Sequence, residues 1–132
     1  MHVVMIGSEA VPFAKVGGLG DVLGSLPQAL TAAGANVTVI LPWYRGIAAA
    51  PHFQLDAELV GGPERFSVGE VQEHGVRYLF VGLADFLRDS PYGGDDEERR
   101  FVRFAQAAWA VVLDRACHEQ IDVVHCHDWQ AA

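Results

Sequence analysis

The sequence is poor in cysteine, in basic residues and in long apolar runs. Among 132 residues there are two cysteines, Cys117 and Cys126, too few for a disulfide framework, so we expect reduced thiols in a cytoplasmic protein. Nine Lys plus Arg stand against 17 Asp plus Glu, giving a net charge of −8. That balance excludes a general nucleic-acid binder, which needs a basic face. No run supplies the roughly 20 apolar residues of a membrane span, and the start lacks the cationic lead of a signal peptide.

The remaining composition is that of one folded unit. Apolar residues make up 51% of the chain and charged residues 20%, which excludes an intrinsically disordered protein. A length of 132 residues corresponds to about one domain, so we treat 1–132 as one unit. Because the sequence ends at a strand-to-helix turn, we expect that unit to be incomplete.

Apolar runs separated by glycine-rich turns predict an α/β fold with a mostly parallel sheet. The expected elements in chain order are a strand at 2–6, a helix opening at 17–21, a strand at 37–41, a hairpin formed by 66–71 and 76–81, a helix from about 95 to 119 and a strand at 121–127. The hairpin is expected at the edge of a sheet with three parallel strands. Cys126, within the last strand, is expected to be a small buried hydrophobe.

Helical periodicity assigns a buried face to each helix. For the first helix the apolar stripe contains Val22, Leu26, Ala29, Leu30 and Ala33. Pro27 is expected to kink that helix or to mark a late start. For the second helix the stripe contains Phe101, Phe104, Ala105, Ala108, Trp109, Val112 and Ala116.

The segment 15–21, Lys-Val-Gly-Gly-Leu-Gly-Asp, contains the first candidate site. Gly17 and Gly18 let backbone amides approach a ligand, and a helix that begins there points its N–H groups at an anion. Lys15 adds a positive charge, and Asp21 can accept hydrogen bonds from sugar hydroxyls. Lysine precedes the glycines, so the pattern matches neither a dinucleotide fingerprint nor a Walker A loop. The alternative is that the glycines only allow tight packing.

A second candidate site follows the last strand, at His125-Cys126-His127-Asp128-Trp129. In a strand, His125 and His127 face the same side, which allows a zinc pair, although a third ligand is not evident. Alternatively, His127 and Asp128 reach into a cleft at the carboxyl end of the strand and bind a polyol or stabilise positive charge. The simplest interpretation is one buried histidine and a helix-capping Asp128.

Two further residues are candidates for the same cleft. Tyr92 lies in the loop Ser90-Pro91-Tyr92-Gly93-Gly94, where an aromatic ring can stack on a sugar, although an ordinary turn has the same composition. Glu9 comes directly after the first strand, so its side chain is also expected to face the cleft.

These motifs together resemble those of bacterial glycogen synthases and plant starch synthases. Residues 8–22 closely resemble the N-terminal signature of that family, 125–129 its second motif, and Arg88 with 90–92 the loop between them. The resemblance implies a Rossmann-like, three-layer αβα fold that is part of the N-terminal domain of a two-domain GT-B glycosyltransferase. One departure is Gln130-Ala131-Ala132, where the family usually has His, a small residue and Gly.

The resemblance also implies an activity: retaining transfer of glucose from ADP-glucose, possibly UDP-glucose, to the non-reducing end of an α-1,4-glucan, without a metal or cofactor. Lys15 and Asp128 are then the catalytic residues. The implied substrate-binding residues are Glu9, Lys15, Gly17, Gly18, Asp21, Tyr92 and His127. Most nucleotide contacts would come from a C-terminal domain outside these 132 residues, so we expect the segment alone to be inactive.

Two other function classes stay open on the residues alone. One is a non-catalytic carbohydrate- or phosphate-binding module built on the glycine-rich turn, which would bind ligand without a second domain. The other is a metal hydrolase that uses His125 and His127, which would carry zinc.

Overall fold

The computed structural model describes residues 1–61, 64–88 and 90–132. Its helices and strands, in chain order, are β1 (His2–Ile6), α1 (Gly18–Ala32), β2 (Asn36–Pro42), β3 (Gln54–Gly61), β4 (Glu64–Glu73), β5 (Val76–Gly82), α2 (Glu97–Ala116) and β6 (Val123–Cys126). Short 3-10 turns lie at Ile47–Ala49, Ala84–Phe86 and Trp129–Ala131. The predicted strands and helices are therefore present, with bounds that shift by a few residues.

The strands form one sheet in the order β3-β4-β5-β2-β1-β6. The four strands from β5 to β6 are parallel, and β3, β4 and β5 pair antiparallel. This confirms the mostly parallel α/β sheet with a hairpin. The prediction of three parallel strands with the hairpin at the edge was wrong, because β5 pairs with β2 inside the sheet. The edge is β3, whose Leu55 and Val60 are exposed, so its sequence lacks the apolar run that marks a buried strand.

Helices cover the middle of the sheet, and the central strands β1 and β2 are therefore apolar on both faces. β1 is buried along its whole length, and β2 is buried from Val37 onward. Both α1 and α2 pack on β2 and β5, and α2 also packs on β3. These layers agree with the three-layer fold class that the resemblance implies. Among the described residues no helix is long and apolar enough to cross a membrane.

The buried face of α1 differs from the predicted apolar stripe. Val22 is 43% exposed, and Ala29 and Ala33 are also exposed. The buried residues are Gly20, Leu23 and Pro27, and the helix runs through Pro27 without a break. The difference arises because a Cβ at Gly20 or Gly24 would stand within 3.0–3.4 Å of the preceding loop. Small residues let the helix approach that loop, and a count of apolar residues ignores them.

The buried face of α2 was predicted in part. Phe101, Phe104, Ala108 and Val112 are buried, whereas Ala105 is half-buried and Ala116 is exposed. Trp109 is 50% exposed, so its place in the predicted core was wrong. A charged residue, Arg100, occupies the buried stripe in the first turn instead.

The last strand, β6, is the edge of the described sheet opposite to β3. Both cysteines are free and exposed, including Cys126 within β6. The expectation of a buried Cys126 was wrong because β6 is an edge strand in which Val124 alone is half-buried and the other three residues are exposed, whereas β1 beside it is buried throughout.

The two faces of α2 predict different responses to truncation. Phe104→Ala should lower the free energy of unfolding by about 3–5 kcal/mol, since Phe104 is fully buried against Phe86, with ring centroids 5.9 Å apart. Trp109→Ala on the exposed face should change it by less than about 0.5 kcal/mol. Urea unfolding followed by far-UV circular dichroism measures both, and equal losses would contradict the assigned face.

Candidate functional site

The first candidate motif folds around the carboxylate of Glu9. Glu9 follows β1 and is 2% exposed. Its Oε2 accepts hydrogen bonds from the backbone amides of Val16 at 2.5 Å and Gly17 at 2.8 Å. The turn predicted to bind an anion therefore already holds one, supplied by the chain itself.

The second oxygen of the Glu9 carboxylate faces the tyrosine loop. Its Oε1 accepts a hydrogen bond from the phenol of Tyr92. The Ser8 hydroxyl lies 2.8 Å from the same phenol oxygen, and the Ser8 carbonyl accepts from the phenol of Tyr44 at 2.7 Å. The tyrosine loop and the glycine-rich turn, far apart in sequence, are thus joined through two residues that follow β1.

The hydrogen bonds around Glu9 keep it ionised. Burial raises the pKa of Glu9, but the bond from Tyr92 and those from the Gly17 and Val16 amides act in the opposite direction. The net pKa lies below the ordinary value of 4.5 although the charge of Asp21 opposes the shift. Burial and the bond to Glu9 raise the pKa of Tyr92 above its ordinary value. At neutral pH the phenol is therefore the donor and the carboxylate the acceptor.

Lys15 and Asp21 form an ion pair across the mouth of the turn. The Lys15 Nζ lies 2.6 Å from the Asp21 Oδ1, and the side chains are 52% and 61% exposed. Lys15 is the only lysine in the sequence. An ion pair this exposed contributes only about 0–1 kcal/mol. The ammonium group is consequently available to another anion at little energetic cost.

The glycines at the start of α1 leave open space on one side. Gly17 is the N-cap residue, and its own amide is bonded to the Glu9 carboxylate. A Cβ built on Gly18 would meet no described atom within 4 Å. The positive end of the helix dipole and the side chain of Lys15 therefore lie beside open space.

His127 lies at the carboxyl end of β6. Its amide donates to the Ile6 carbonyl at 2.9 Å, and its ring centroid is 4.0 Å from that of His125. Burial, and then the nearby His125, lower the pKa of His127 below its ordinary 6.5, so the imidazole is neutral at pH 7. Its Nε2 is buried and finds no hydrogen-bond partner among the described residues.

Asp128 adopts a strained backbone conformation. Its φ is +64° and its ψ 177°, a region that residues with a side chain rarely occupy and that costs about 1–3 kcal/mol. Its carboxylate accepts from the Trp129 amide at 2.8 Å, which caps the following 3-10 turn. Together with burial and Glu9, the charge of Asp128 raises the pKa of Tyr92. The Phe101 ring has its centroid 6.0 Å from that of Tyr92 and 5.6 Å from that of Trp129, so the turn that follows Asp128 and the tyrosine loop pack on the same residue.

Contacts join five of the predicted residues in two groups, and among the described residues no hydrogen bond joins His127 or Asp128 to them. Glu9, Tyr92 and the Gly17 amide share one network, and Lys15 pairs with Asp21 beside it. For the zinc alternative, no group of three or more His, Cys, Asp or Glu placed to hold a metal exists within 1–61, 64–88 and 90–132.

Two residues that adjoin this network are not among the predicted site residues. Ser8 is fully buried directly before Glu9, and Arg100 is 1% exposed beneath the tyrosine loop. The signal for Ser8 is its place at the start of the segment 8–22, which resembles the family signature. Arg100 does carry one, because it falls four residues before Phe104 on the apolar stripe of α2, where a charge is unexpected.

The network around Glu9 predicts a pH-dependent contribution to stability. Glu9→Gln should lower the free energy of unfolding at pH 7 by about 1–2 kcal/mol, since the amides lose a charged acceptor. The folded-state pKa of Glu9 is depressed, so its contribution is present above the unfolded pKa and is lost as pH falls through the folded pKa. The difference between wild type and variant should therefore shrink below about pH 4.5.

Urea titrations at several pH values measure that difference. Glu98→Gln removes an exposed carboxylate and serves as the control, with a change below about 0.5 kcal/mol. A deficit in Glu9→Gln that stayed constant down to pH 3 would contradict the ionised state assigned to Glu9.

Known proteins show a similar sequence and the same fold. The glycogen synthase of Deinococcus deserti is 45% identical over 131 residues, covering 99% of this chain and 28% of that protein. A glycogen synthase of Thermus thermophilus is 42% identical over 132 residues, covering 100% and 29%. Among solved structures, the catalytic domain of starch synthase IV from Arabidopsis thaliana bound to ADP and acarbose matches with a TM-score of 0.80 and 31% identity.

That structural match covers 98% of this chain and 28% of the plant chain. The chain therefore spans less than a third of the length of the relatives that it matches. Residues 2–132 match the family described as the starch synthase catalytic domain. Since this match includes every residue of the site, the chain belongs to the starch synthase catalytic domain family.

Proposed function

We propose that this chain is the N-terminal part of a glycogen or starch synthase. In the complete protein it transfers glucose from ADP-glucose, with retention of configuration, to the non-reducing end of an α-1,4-glucan. The observation that carries the proposal is the glycine-rich turn, where the only lysine stands at the open N-terminus of α1. The same turn has the residues of the family signature.

The turn suits the leaving group of such a reaction. Negative charge develops on the departing diphosphate, and a prearranged cation with helix amides stabilises it most where water is excluded. Lys15 provides the cation once its ion pair with Asp21 is broken. The Gly17 amide already donates to Glu9, so the phosphate contacts fall first on Lys15 and on the open side of Gly18. A phosphate bound to Gly17 has to displace the carboxylate.

The other site residues suit the sugar. Asp21 and Asp128 are carboxylates able to accept hydrogen bonds from glucose hydroxyls, and the negative charge of Asp128 stabilises an oxocarbenium-like transition state. His127, neutral at pH 7, offers a hydrogen bond without charge. Tyr92 lines the donor or the acceptor site, and its hydroxyl is held by Glu9.

The proposal includes the partners of the complete protein. The donor is ADP-glucose, with UDP-glucose as the alternative, and the Arabidopsis relative was solved with ADP and acarbose. The acceptor is an α-1,4-glucan. A C-terminal domain supplies the remaining donor contacts. A cytoplasmic location is consistent with two exposed free thiols, which persist in a reducing compartment.

The role of Lys15 can be tested in a complete enzyme that carries this segment. Lys15→Ala should lower turnover by tens-fold or more, since one positioned charge at a developing anion is worth roughly 2–4 kcal/mol. Lys15→Arg should restore part of the loss. Arg99→Ala, which removes an exposed cation of α2, is the control. Incorporation of glucose into glycogen measures all three, and a loss below twofold in Lys15→Ala would remove Lys15 from the reaction.

The segment itself distinguishes the three function classes. We expect residues 1–132 alone to incorporate no glucose into glycogen, because transition-state stabilisation needs groups from both sides of the cleft. Calorimetry with ADP-glucose and maltooligosaccharides should show little or no binding. Tight binding without turnover would favour the carbohydrate- or phosphate-binding module, and stoichiometric zinc by elemental analysis would favour the metal hydrolase.

A further inference from the structure

Arg100 is a buried cation that the proposed reaction does not use. Its side chain is fully buried in the first turn of α2. The guanidinium carbon lies 5.6 Å from the ring centroid of Phe86 and 5.5 Å from that of Phe101. A charge in such surroundings is destabilising unless partners compensate it. The partners of Arg100 therefore indicate what it holds in place.

Those partners lie on both sides of Tyr92. The Nη2 of Arg100 donates to the Pro91 carbonyl at 3.1 Å and to the Gly93 carbonyl at 3.3 Å. Its Nη1 donates to the Asp96 carboxylate at 3.0 Å. Because the guanidinium is planar and rigid, these bonds fix the backbone immediately before and after Tyr92. Arg100 therefore fixes the backbone position from which the Tyr92 side chain projects.

The restraint continues from Tyr92 to the glycine-rich turn. The phenol donates to Glu9 Oε1, and Glu9 Oε2 accepts from the amides of Val16 and Gly17. An unbroken series of contacts therefore joins the first turn of α2 to the N-terminus of α1. Within this series the phenol-to-carboxylate bond is the step that links the two loops, so the series depends on the orientation of Tyr92.

We propose that Arg100 is a positioning residue for the glycine-rich turn, acting through Tyr92 and Glu9. It holds the tyrosine loop so that the phenol keeps the Glu9 carboxylate on the Val16 and Gly17 amides. The consequence for turnover rests on the proposed function, but the coupling itself is a property of these residues alone. Lysine does not replace Arg100, because one ammonium group lacks the fork by which Nη1 holds the Asp96 carboxylate while Nη2 holds the Pro91 and Gly93 carbonyls.

Amide hydrogen exchange, measured by NMR on residues 1–132, tests the coupling. Arg100→Lys and Arg100→Met should speed exchange at Val16 and Gly17 by about tenfold or more, the change expected when a hydrogen bond to a charged acceptor is weakened. The amide of Val39 in the buried β2 should keep its rate. Arg99→Met, on the exposed side of the same helical turn, should leave all three amides within about twofold of wild type.

A second variant keeps the test decisive if Arg100→Met does not fold. Tyr92→Phe removes only the phenol hydroxyl and should speed the same two amides. In that background Arg100→Lys should add no further acceleration, because its effect passes through the hydroxyl. Unchanged exchange at Val16 and Gly17 in folded Arg100→Lys would overturn the proposal, and so would additive effects in the double variant. A merely structural role of Arg100 predicts a faster Val39 as well.

The exchange experiment needs no substrate, so its failure is separate from failure of the proposed function. If the coupling holds, the complete enzyme with Arg100→Lys should show a lower kcat/KM for ADP-glucose than the Arg99→Lys control. Equal values of kcat/KM would overturn the positioning role in catalysis, whereas the Lys15 assay alone decides whether the donor site is where we place it.

Discussion

The carboxylate of Glu9 organises the candidate site. This carboxylate lies just beyond the end of β1, where it is buried and ionised. Two backbone amides donate to one of its oxygens and a phenol donates to the other. A buried carboxylate without such donors would be strongly destabilising. The glycine-rich turn and the tyrosine loop are therefore both held in place by hydrogen bonds to the same carboxylate. Lys15 and Asp21 stand outside this network and pair with each other in solvent. The site thus has a fixed inner part and an exposed outer part.

The sheet explains why these segments meet. β1 lies between β2 and β6, and all three strands are parallel. The residues that follow β1 and β6 therefore lie at the same end of the sheet, where the strands have their carboxyl ends. The strand register pairs Ile6 with Cys126, which brings Glu9 and Asp128 out at the same end of the molecule. The first turn of α2 lies at this end of the sheet and supports the tyrosine loop. Ligand sites of open α/β sheets lie at the carboxyl ends of the strands for the same reason, because the loops that follow parallel strands meet there.

The sequence predicts the apolar strands well, because β1 and β2 are buried on both faces and read as continuous apolar runs. It also identifies the glycine-rich turn and the residues after β6 as candidate sites. The failures have physical causes. In α1 the side that packs against the preceding loop is marked by the small residues Gly20 and Gly24, which an apolar stripe does not include. In α2, Trp109 is apolar yet exposed. β3 is an edge strand whose leucine and valine are exposed. The pairing of Glu9 with the turn amides joins side chain to backbone across a loop, and no residue pattern encodes it.

The single lysine has a practical consequence for handling the molecule. Among these 132 residues the ε-amino group of Lys15 is the only side-chain target of amine-directed chemistry, and it is exposed. Coupling to a sensor surface, cross-linking or dye labelling through Lys15 attaches the reagent at the mouth of the glycine-rich turn. Thiol coupling through Cys117, exposed just beyond the C-terminal end of α2, keeps that mouth open once Cys126, the exposed thiol directly before His127, has been replaced by serine.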